Sequence, residues 1–382
     1  MAAGQAHFVR LACRGGIVHH PGRRGHHKDS SGSIVAEANP SPQTRPRIGV
    51  VLVNWNRWAD TVEALESLLR SDVPVTAIVV DNASSDGSME HVAAWAAGRE
   101  AAPVASAGMA AFSTPPLPKP IAIRRIGAAE WSTARLAPED RLVLVDSGGN
   151  LGFAGGNNVG LRLLLADPAF DIFWLLNNDT VVAPETARQL AARMDATGAG
   201  MCGTVVRYYW KPDTVQAANG HMFNVWKGTA RGVHQGLPAA SLPDPAEVEA
   251  KTSFILGASL AVTRAFLDKV GLMEDSYFLY FEEIDWAARN RKLPGGGFRV
   301  AYAPDAVVYH KEGGSIGSSG VPGARSLTAD YWLAKSRLAY VRRHQPLLLP
   351  WHWGMTLGLA GLRVARGQPE KAKVILKALF GG

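Results

Sequence analysis

Residues 48–82 read IGVVLVNWNRWADTVEALESLLRSDVPVTAIVVDN, and the order of apolar periods in this stretch decides the fold. IGVVLVNW (48–55) is an unbroken apolar, β-branched run, as expected of a strand buried on both faces. In WADTVEALESLLR (58–70), Val62, Leu65, Leu68 and Leu69 fall on one side of a 3.6-residue period, which predicts a helix. TAIVVDN (76–82) is a second buried strand. SSDGSMEHVAAWAA then opens a helix with Ser85 or Asp86 at its N-cap. Strand, helix, strand, helix is a βαβ unit, so a parallel sheet with right-handed crossovers follows.

The rhythm continues downstream. LVLVDSG (142–148) predicts a strand, GNLGFAGGNNVGLRLLLA (149–166) a Gly-rich turn running into a helix, and FDIFWLLNND (170–179) an apolar strand ending in polar residues. PETARQLAARMDA (184–196) predicts a helix with Pro184 in its first turn. MCGTVVRYY (201–209) and SFILGASLAVTR (253–264) read as strands. AFLDKVG is a short helix closed by Gly271. EEIDWAARNRK (282–292) has helical spacing, and GFRVAYAPDAVVYH (297–310) reads as a strand pair ending at His310. Residues 98–138, rich in Ala, Pro and Gly, read as a surface insertion. The fold class is α/β: a Rossmann-like, mixed but mostly parallel sheet flanked by helices over 47–325, with a helical C-terminal extension over 326–382.

Composition narrows the function classes. The chain has 382 residues, 47% of them hydrophobic, enough for a sizeable core. Its two cysteines, Cys13 and Cys202, form no metal-ligand spacing and no disulfide framework, which fits a reducing compartment. The net charge of +7 is uneven: residues 1–47 carry +5 and residues 331–382 carry +8, which leaves −6 between them. A basic chain suggests nucleic acid only if the charge lies on the folded core. Charge at the ends fits contact with an anionic membrane surface, or simply solvated tails. Residues 1–46, with five of the eleven histidines and no hydrophobic period, read as a disordered basic tail without a secretory signal. LLLPWHWGMTLGLAGL (347–362) is too short to span a bilayer, which needs roughly 20 apolar residues. Its Trp351 and Trp353, close to arginines, suit either an interfacial segment or a core-packed helix pair.

Three groups of residues suggest chemistry. In an open α/β sheet, ligands bind at the carboxyl ends of the strands. Asn54, Trp55 and Asn56 follow the first strand there, and Asp81 and Asn82 the second; the pair Asp81–Asn82 equally suits a turn cap. Asn177, Asn178 and Asp179 follow FWLL. One carboxylate there, with diphosphate oxygens and water, suits Mg²⁺ or Mn²⁺, although an Asn/Asp turn is common after any strand. GNLGFAGGNN implies close backbone approach to something. It is neither a GK[ST] phosphate loop nor a clean GxGxxG. Glu282, Glu283 and Asp285 crowd three carboxylates into four residues, which raises a pKa and supplies a general base unless they form a solvated helix start. His310 ends a strand and can complete a metal site with Asp179. The Gly-rich stretch 313–323 reads as a lid over a diphosphate, with Lys311 near the phosphates, or as a linker.

Taken together, VVLVNWNR, VVDNASSDGS, NLGFAGGNNVG, WLLNNDTVV, GASLAVTR, FLYFEEIDWAAR and APDAVVYHKEGGS resemble glycosyltransferase family 2, the inverting GT-A class, and its rhamnosyltransferase-like members. The pieces cover 48–316 in family order. The resemblance implies an enzyme of cell-surface polysaccharide assembly; the reducing-compartment reading places it in the cytoplasm, and the basic ends, where they meet lipid, make it peripheral on the inner face of the cell membrane. It would move a hexose from a dTDP- or UDP-sugar to a glycan or lipid-linked acceptor in cell-surface polysaccharide synthesis, with no nucleic-acid partner. It implies that Asp81 binds the nucleobase and that Asn150, Gly152, Phe153, Ala154 and Asn158 form the donor-site turn. Asp179 matches the last residue of a DxD-like metal motif whose first acid is replaced by Asn177. His310 matches a metal-contacting histidine. Glu283 stands where the family has the Asp of its Glu-Asp base motif and is one methylene longer, so Asp285 remains a rival. Lys335-Ser336 stands where related chains often show Arg-Asn. The incomplete DxD leaves a non-catalytic nucleotide-sugar-binding module as the alternative, and the basic C-terminal part a membrane-surface scaffold.

Overall fold

The apolar run that opens the folded part forms strand β1 (Arg47–Asn54), buried without a break from Ile48 to Leu52. The computed structural model describes residues 47–312 and 325–380; the tail 1–46 and the 313–323 stretch lie outside the described residues. After β1 come α1 (Trp58–Leu68), β2 (Val75–Asp81), α2 (Ser88–Ala96), the single turn α3 (Ala110–Ser113), β3 (Arg124–Ile126), β4 (Leu142–Asp146), α4 (Gly152–Leu165) and β5 (Phe170–Leu176). β6 (Thr180–Val182), α5 (Thr186–Thr197), β7 (Met201–Tyr208), β8 (Lys211–Ala218), β9 (Gly220–Asn224), β10 (Thr229–Gly232), α6 (Pro245–Lys251) and β11 (Phe254–Ile255) follow. The domain closes with β12 (Ser259–Thr263), α7 (Arg264–Val270), α8 (Glu282–Arg291) and β13 (Val300–His310).

The main sheet runs β3-β4-β2-β1-β5-β12-β7-β13-β6, with β8 on β7 off this path. β3, β4, β2, β1 and β5 are mutually parallel. β12 then enters antiparallel between β5 and β7, and β13 is parallel to β7. A small antiparallel sheet, β10-β9-β11, stands apart. The period of two along each strand feeds two cores. Ile48, Val50, Leu52 and Trp174 pack with α1, α2 and α5 on one face, and Val51, Phe173 and Leu175 with α4 and α7 on the other. Asn54 pairs with Asp81 and Asp81 with Asp146, so the carboxyl ends of β1, β2 and β4 end level. β1 sends its chain to β2 on one side and takes β5 on the other, which makes the crevice between β1 and β5 the switch point of this sheet.

Four expectations change. The stretch 297–310 holds one strand, β13, from Val300 to His310, not a pair. Its register with β7 slips between Ala303 and Val307, where Pro304 offers no N–H to the ladder. The N-cap of α2 is Gly87 in a left-handed conformation, while Asp86 Oδ1 accepts from the Ser88 amide at 3.1 Å. α5 begins at Thr186, two residues after Pro184. The 98–138 insertion is more than a loop: β3 extends the sheet, and buried Glu66 accepts from the Leu117 amide (2.8 Å), Lys119 Nζ (3.0 Å) and Trp95 Nε1 (2.9 Å).

The C-terminal segment is helical: α9 (Leu327–His344), α10 (Leu349–Ala365) and α11 (Pro369–Phe380). Ser326 caps α9 by accepting from the Ala329 amide at 3.1 Å. The three helices pack on one another, with Ala360, Ala372 and Ile375 buried between α10 and α11. Among the described residues no helix is long and apolar enough to cross a membrane.

Candidate functional site

A cavity of about 640 Å³ opens at the β1/β5 switch point. Val53 and Trp55 come to it from β1, Asn82 from β2, and Asn177, Asn178 and Asp179 from β5. Asn150, Gly152 and Phe153 enter from the α4 turn, Glu282 and Glu283 from α8, and His310 from β13. Residues 228 positions apart between Trp55 and Glu283 thus share one space. The Asn82 side chain latches its rim, donating to Asn150 Oδ1 (3.1 Å) and to the Gly152 carbonyl (3.0 Å) and accepting from the Leu151 amide (3.0 Å).

Asp179 and His310 form a buried pair. His310 Nε2 lies 3.1 Å from Asp179 Oδ1, and Nδ1 lies 2.9 Å from Gln216 Oε1. A carbonyl oxygen accepts only, so Nδ1–H donates to Gln216, and when the ring is protonated Nε2–H donates to Asp179. Burial opposes charge on both groups. Their mutual attraction outweighs it, holding the Asp179 carboxyl below its usual range and raising the His310 imidazole. Among the described residues no group of three or more His, Cys, Asp and Glu surrounds a metal position. The pair itself fits two adjacent places on an octahedral cation, whose neighbouring ligands lie about 3 Å apart. Phosphate oxygens and water would complete such a shell, the usual arrangement for Mg²⁺-type ions.

Glu282 and Glu283 reach the cavity because the chain before them turns sharply. Phe278, Tyr280 and Phe281 all hold left-handed backbone, with φ of 64°, 65° and 74°. Non-glycine residues in that region carry strain and cluster at functional sites. Burial, and then the neighbouring Glu283 charge, push the Glu282 carboxyl well above its usual range. Its Oε1 is buried without a hydrogen-bond partner. Burial likewise raises Glu283. Two crowded carboxylates in one dry site cannot both ionise easily, so they titrate as a pair.

A raised folded-state pKa stabilises the fold below the unfolded value and is lost as pH rises through the folded value. Glu282→Gln should therefore leave stability unchanged near pH 4 and raise the melting temperature at pH 8, on the order of 2 °C. Thermal unfolding at the two pH values checks this; an equal shift at both contradicts the crowding. Gly257 makes a second test. A Cβ there would collide with Glu283 Oε1. Gly257→Ala should displace that carboxylate and lower any reaction that depends on it by roughly 10²-fold, with the fold retained. A wild-type rate in steady-state assays would remove Gly257 from this role.

Other expected site residues lie elsewhere. Asp285 does not line the cavity: it is fully buried and bound by Arg289 Nε (2.6 Å), His344 Nε2 (2.6 Å) and Tyr277 Oη (3.2 Å). Two residues along a helix is a turn of about 200°, so Glu283 and Asp285 face opposite ways. Asn54 and Asp81 lie behind the lining, as the floor. Asn54 donates to Asp81 Oδ1 (2.9 Å) and accepts from Thr61 Oγ1 (2.8 Å) and Asn178 Nδ2 (3.2 Å), while Asp81 Oδ2 accepts from the Ser84 amide (3.0 Å). Asn56 accepts from the Ser85 amide at 2.6 Å. Asn158 is buried and clamps Met273 through both its amide and carbonyl, and Ala154 is buried in the α4 packing. The close approach that the glycine run required is partly to the protein itself: a Cβ at Gly156 would press on Val53, and one at Gly160 on Val51. Lys311 is held by Asp60 Oδ1 (2.6 Å) and Glu63 Oε2 (2.5 Å) rather than offered to a phosphate.

Sequence reasoning missed Gln216, His221, Phe278 and Trp332, which also line the cavity. Trp332 of α9 stacks on Phe278 with centroids 4.6 Å apart. His221 stacks on Phe254, its pKa pushed down to about 4 by burial, and its Nδ1 is buried without a partner. The Tyr- and Phe-rich run before Glu282 was the available signal; Gln216 and His221 sit in strands that carry no motif.

No family model matches the chain. Two glycosyltransferases resemble it in sequence. The low-salt glycan biosynthesis hexosyltransferase Agl10 of Haloferax volcanii is 26% identical over 155 residues, 40% of this chain and 47% of that protein. The dTDP-rhamnosyl transferase RfbF of Shigella flexneri is 22% identical over 218 residues, 56% of this chain and 68% of that protein. The match thus spans about half the length of the haloarchaeal relative. Among solved structures, a mannosyltransferase from Pyrobaculum calidifontis with GDP-Man and Mn²⁺ aligns at a TM-score of 0.46 and 16% identity, over 91% of this chain and 79% of the other. S. aureus TarS 1-349 with UDP-GlcNAc aligns at 0.45 and 13%, over 87% and 81%.

Proposed function

We propose that the chain is an inverting, metal-dependent glycosyltransferase of the family 2 type. It moves a hexose such as rhamnose from a dTDP- or UDP-sugar to a hydroxyl of a glycan or lipid-linked acceptor in cell-surface polysaccharide synthesis. The observation that carries this reading is that the Asp179–His310 pair and the Glu282–Glu283 pair open onto one cavity. In this reading Trp55 flanks the nucleobase and the Asn150–Phe153 turn lines the sugar-diphosphate. Asp179 and His310 would hold Mg²⁺ or Mn²⁺, which offsets charge on the departing diphosphate when bound.

The residues of the chain account for the remaining steps. Glu283 accepts the acceptor hydroxyl proton as that oxygen attacks C1 of the sugar. The C1–O bond to the diphosphate breaks on the opposite face, and the configuration inverts. Glu282, kept protonated by burial, leaves the pair a single negative charge. Buried Phe281 and half-buried Phe278 and Tyr280 keep the base in a dry site, where a carboxylate is a stronger proton acceptor.

Nucleoside diphosphate release from dTDP-rhamnose and UDP-sugars, with and without Mn²⁺, tests the reading. Metal-dependent release from one donor is expected. Donor binding without release from any of them would instead favour a non-catalytic nucleotide-sugar-binding module.

A further inference from the structure

α10 presents two unlike sides. Its inward residues are engaged: Thr356 Oγ1 accepts from Arg337 Nη2 at 2.7 Å, and His352 Nε2 meets the Val225 carbonyl at 2.9 Å. Its outward side carries no charged residue from Leu349 to Leu362. Trp351 is 55% exposed, Leu357 46%, Leu362 44% and Val364 59%. Exposed Trp226 joins them, since its carbonyl accepts from Trp351 Nε1 at 2.9 Å. Gly354, Gly358 and Gly361 on the same helix face open space among the described residues. A contiguous apolar patch of this kind marks an interaction surface.

The charge of this C-terminal segment is predominantly positive. Residues 331–382 hold nine Lys and Arg and one acid, Glu370. Arg363 and Lys371 share Asp330, and Lys373 pairs with Glu370. Exposed Arg342, Arg366 and Lys377 have no carboxylate partner among the described residues. We propose that the outward face of α10 docks the protein on an anionic lipid surface, with Trp351 and Trp226 at the headgroup level and the unpaired cations over the lipid phosphates. Charge chooses this occupant over the others. A second copy would bring the same positive rim against this one, and residues 1–47 carry net +5, the same sign. Tryptophan beside an apolar helix face with flanking Lys and Arg is the pattern of a helix lying in a bilayer interface. The inference is independent of the transferase reading, because no cavity residue enters it.

Co-sedimentation of the full chain with vesicles tests it, using phosphatidylcholine alone and phosphatidylcholine mixed with phosphatidylglycerol. Binding to the mixed vesicles, weaker binding to phosphatidylcholine and weakening by salt are expected. Trp351→Glu with Leu357→Glu should lower vesicle binding at least ~10-fold. Arg366→Ala with Lys377→Ala should remove most of the preference for the anionic vesicles. Circular dichroism and the unfolding transition should stay unchanged in both, because all four side chains point outward. Absence of sedimentation with the mixed vesicles overturns the proposal. So does a Trp351/Leu357 variant that binds like the wild type, or a dimer in solution that the same substitutions dissociate.

Discussion

Asp179→Ala is expected to lower kcat/KM for sugar transfer by roughly 10³-fold, the loss of several kcal/mol of charge stabilisation at the leaving diphosphate. The reasoning starts at β5, whose apolar run ends at Leu176 and delivers Asp179 to the lip of the cavity. The carboxylate is buried there, and His310 alone of the cavity's other groups meets it as a charge partner, at 3.1 Å. Removing it leaves one imidazole where a cation needs at least one hard oxygen anion. Two kinetic signatures separate this role from damage to the fold. The response of the rate to added Mn²⁺ should vanish, and the far-ultraviolet circular dichroism should match the wild type. A variant that keeps both its rate and its metal response would take Asp179 out of the site.

Glu283→Gln is expected to lower kcat by about 10²- to 10⁴-fold while donor affinity stays within a few-fold of wild type. Gln keeps the shape of the side chain and removes its capacity to accept a proton. The wild-type pH profile carries the same information. Burial raises the Glu283 carboxyl, so kcat/KM should fall on the acid side as pH drops through a value above the ordinary carboxylate range. An acid limb at the ordinary glutamate value, about 4.3, would contradict a buried base. Asp285→Asn should behave differently. It removes the buried carboxylate that holds Arg289 on α8 and His344 on α9, so it should cost about 1–3 kcal/mol of stability, read in denaturant unfolding, with the metal response of the remaining folded enzyme intact.

The first half of the fold was legible because its signals are local. β1, β2, β4 and β5 are unbroken apolar runs, and the helices between them show a clear 3.6 period, so the βαβ order could be read directly. The insertion of β12 between β5 and β7 could not, since antiparallel pairing across 57 to 91 residues leaves no local mark. In the site, the meeting of Asp179 and His310 was legible because both stand at strand ends, whereas the acidic cluster 282–285 pointed to the cavity without separating Glu283 from Asp285. Asp285 would have been separable from Glu283 by helix geometry alone, since positions i and i+2 do not share a face. The left-handed turn at Phe278, Tyr280 and Phe281 was hidden, because aromatic residues rarely adopt that backbone and nothing in YFLYF announces it. The structural duties of Asn54 and Asp81 were hidden for another reason: a polar residue at a strand end looks the same whether it meets a ligand or a neighbouring strand.

Isothermal titration of dTDP and UDP into the full chain, with and without Mn²⁺, tests most directly whether the strand ends converge on a metal-assisted diphosphate site. Mn²⁺ should tighten binding of one nucleotide at least ~10-fold in the wild type and leave Asp179→Ala unresponsive. Binding that is equal with and without Mn²⁺, or a metal response that survives in Asp179→Ala, would contradict it.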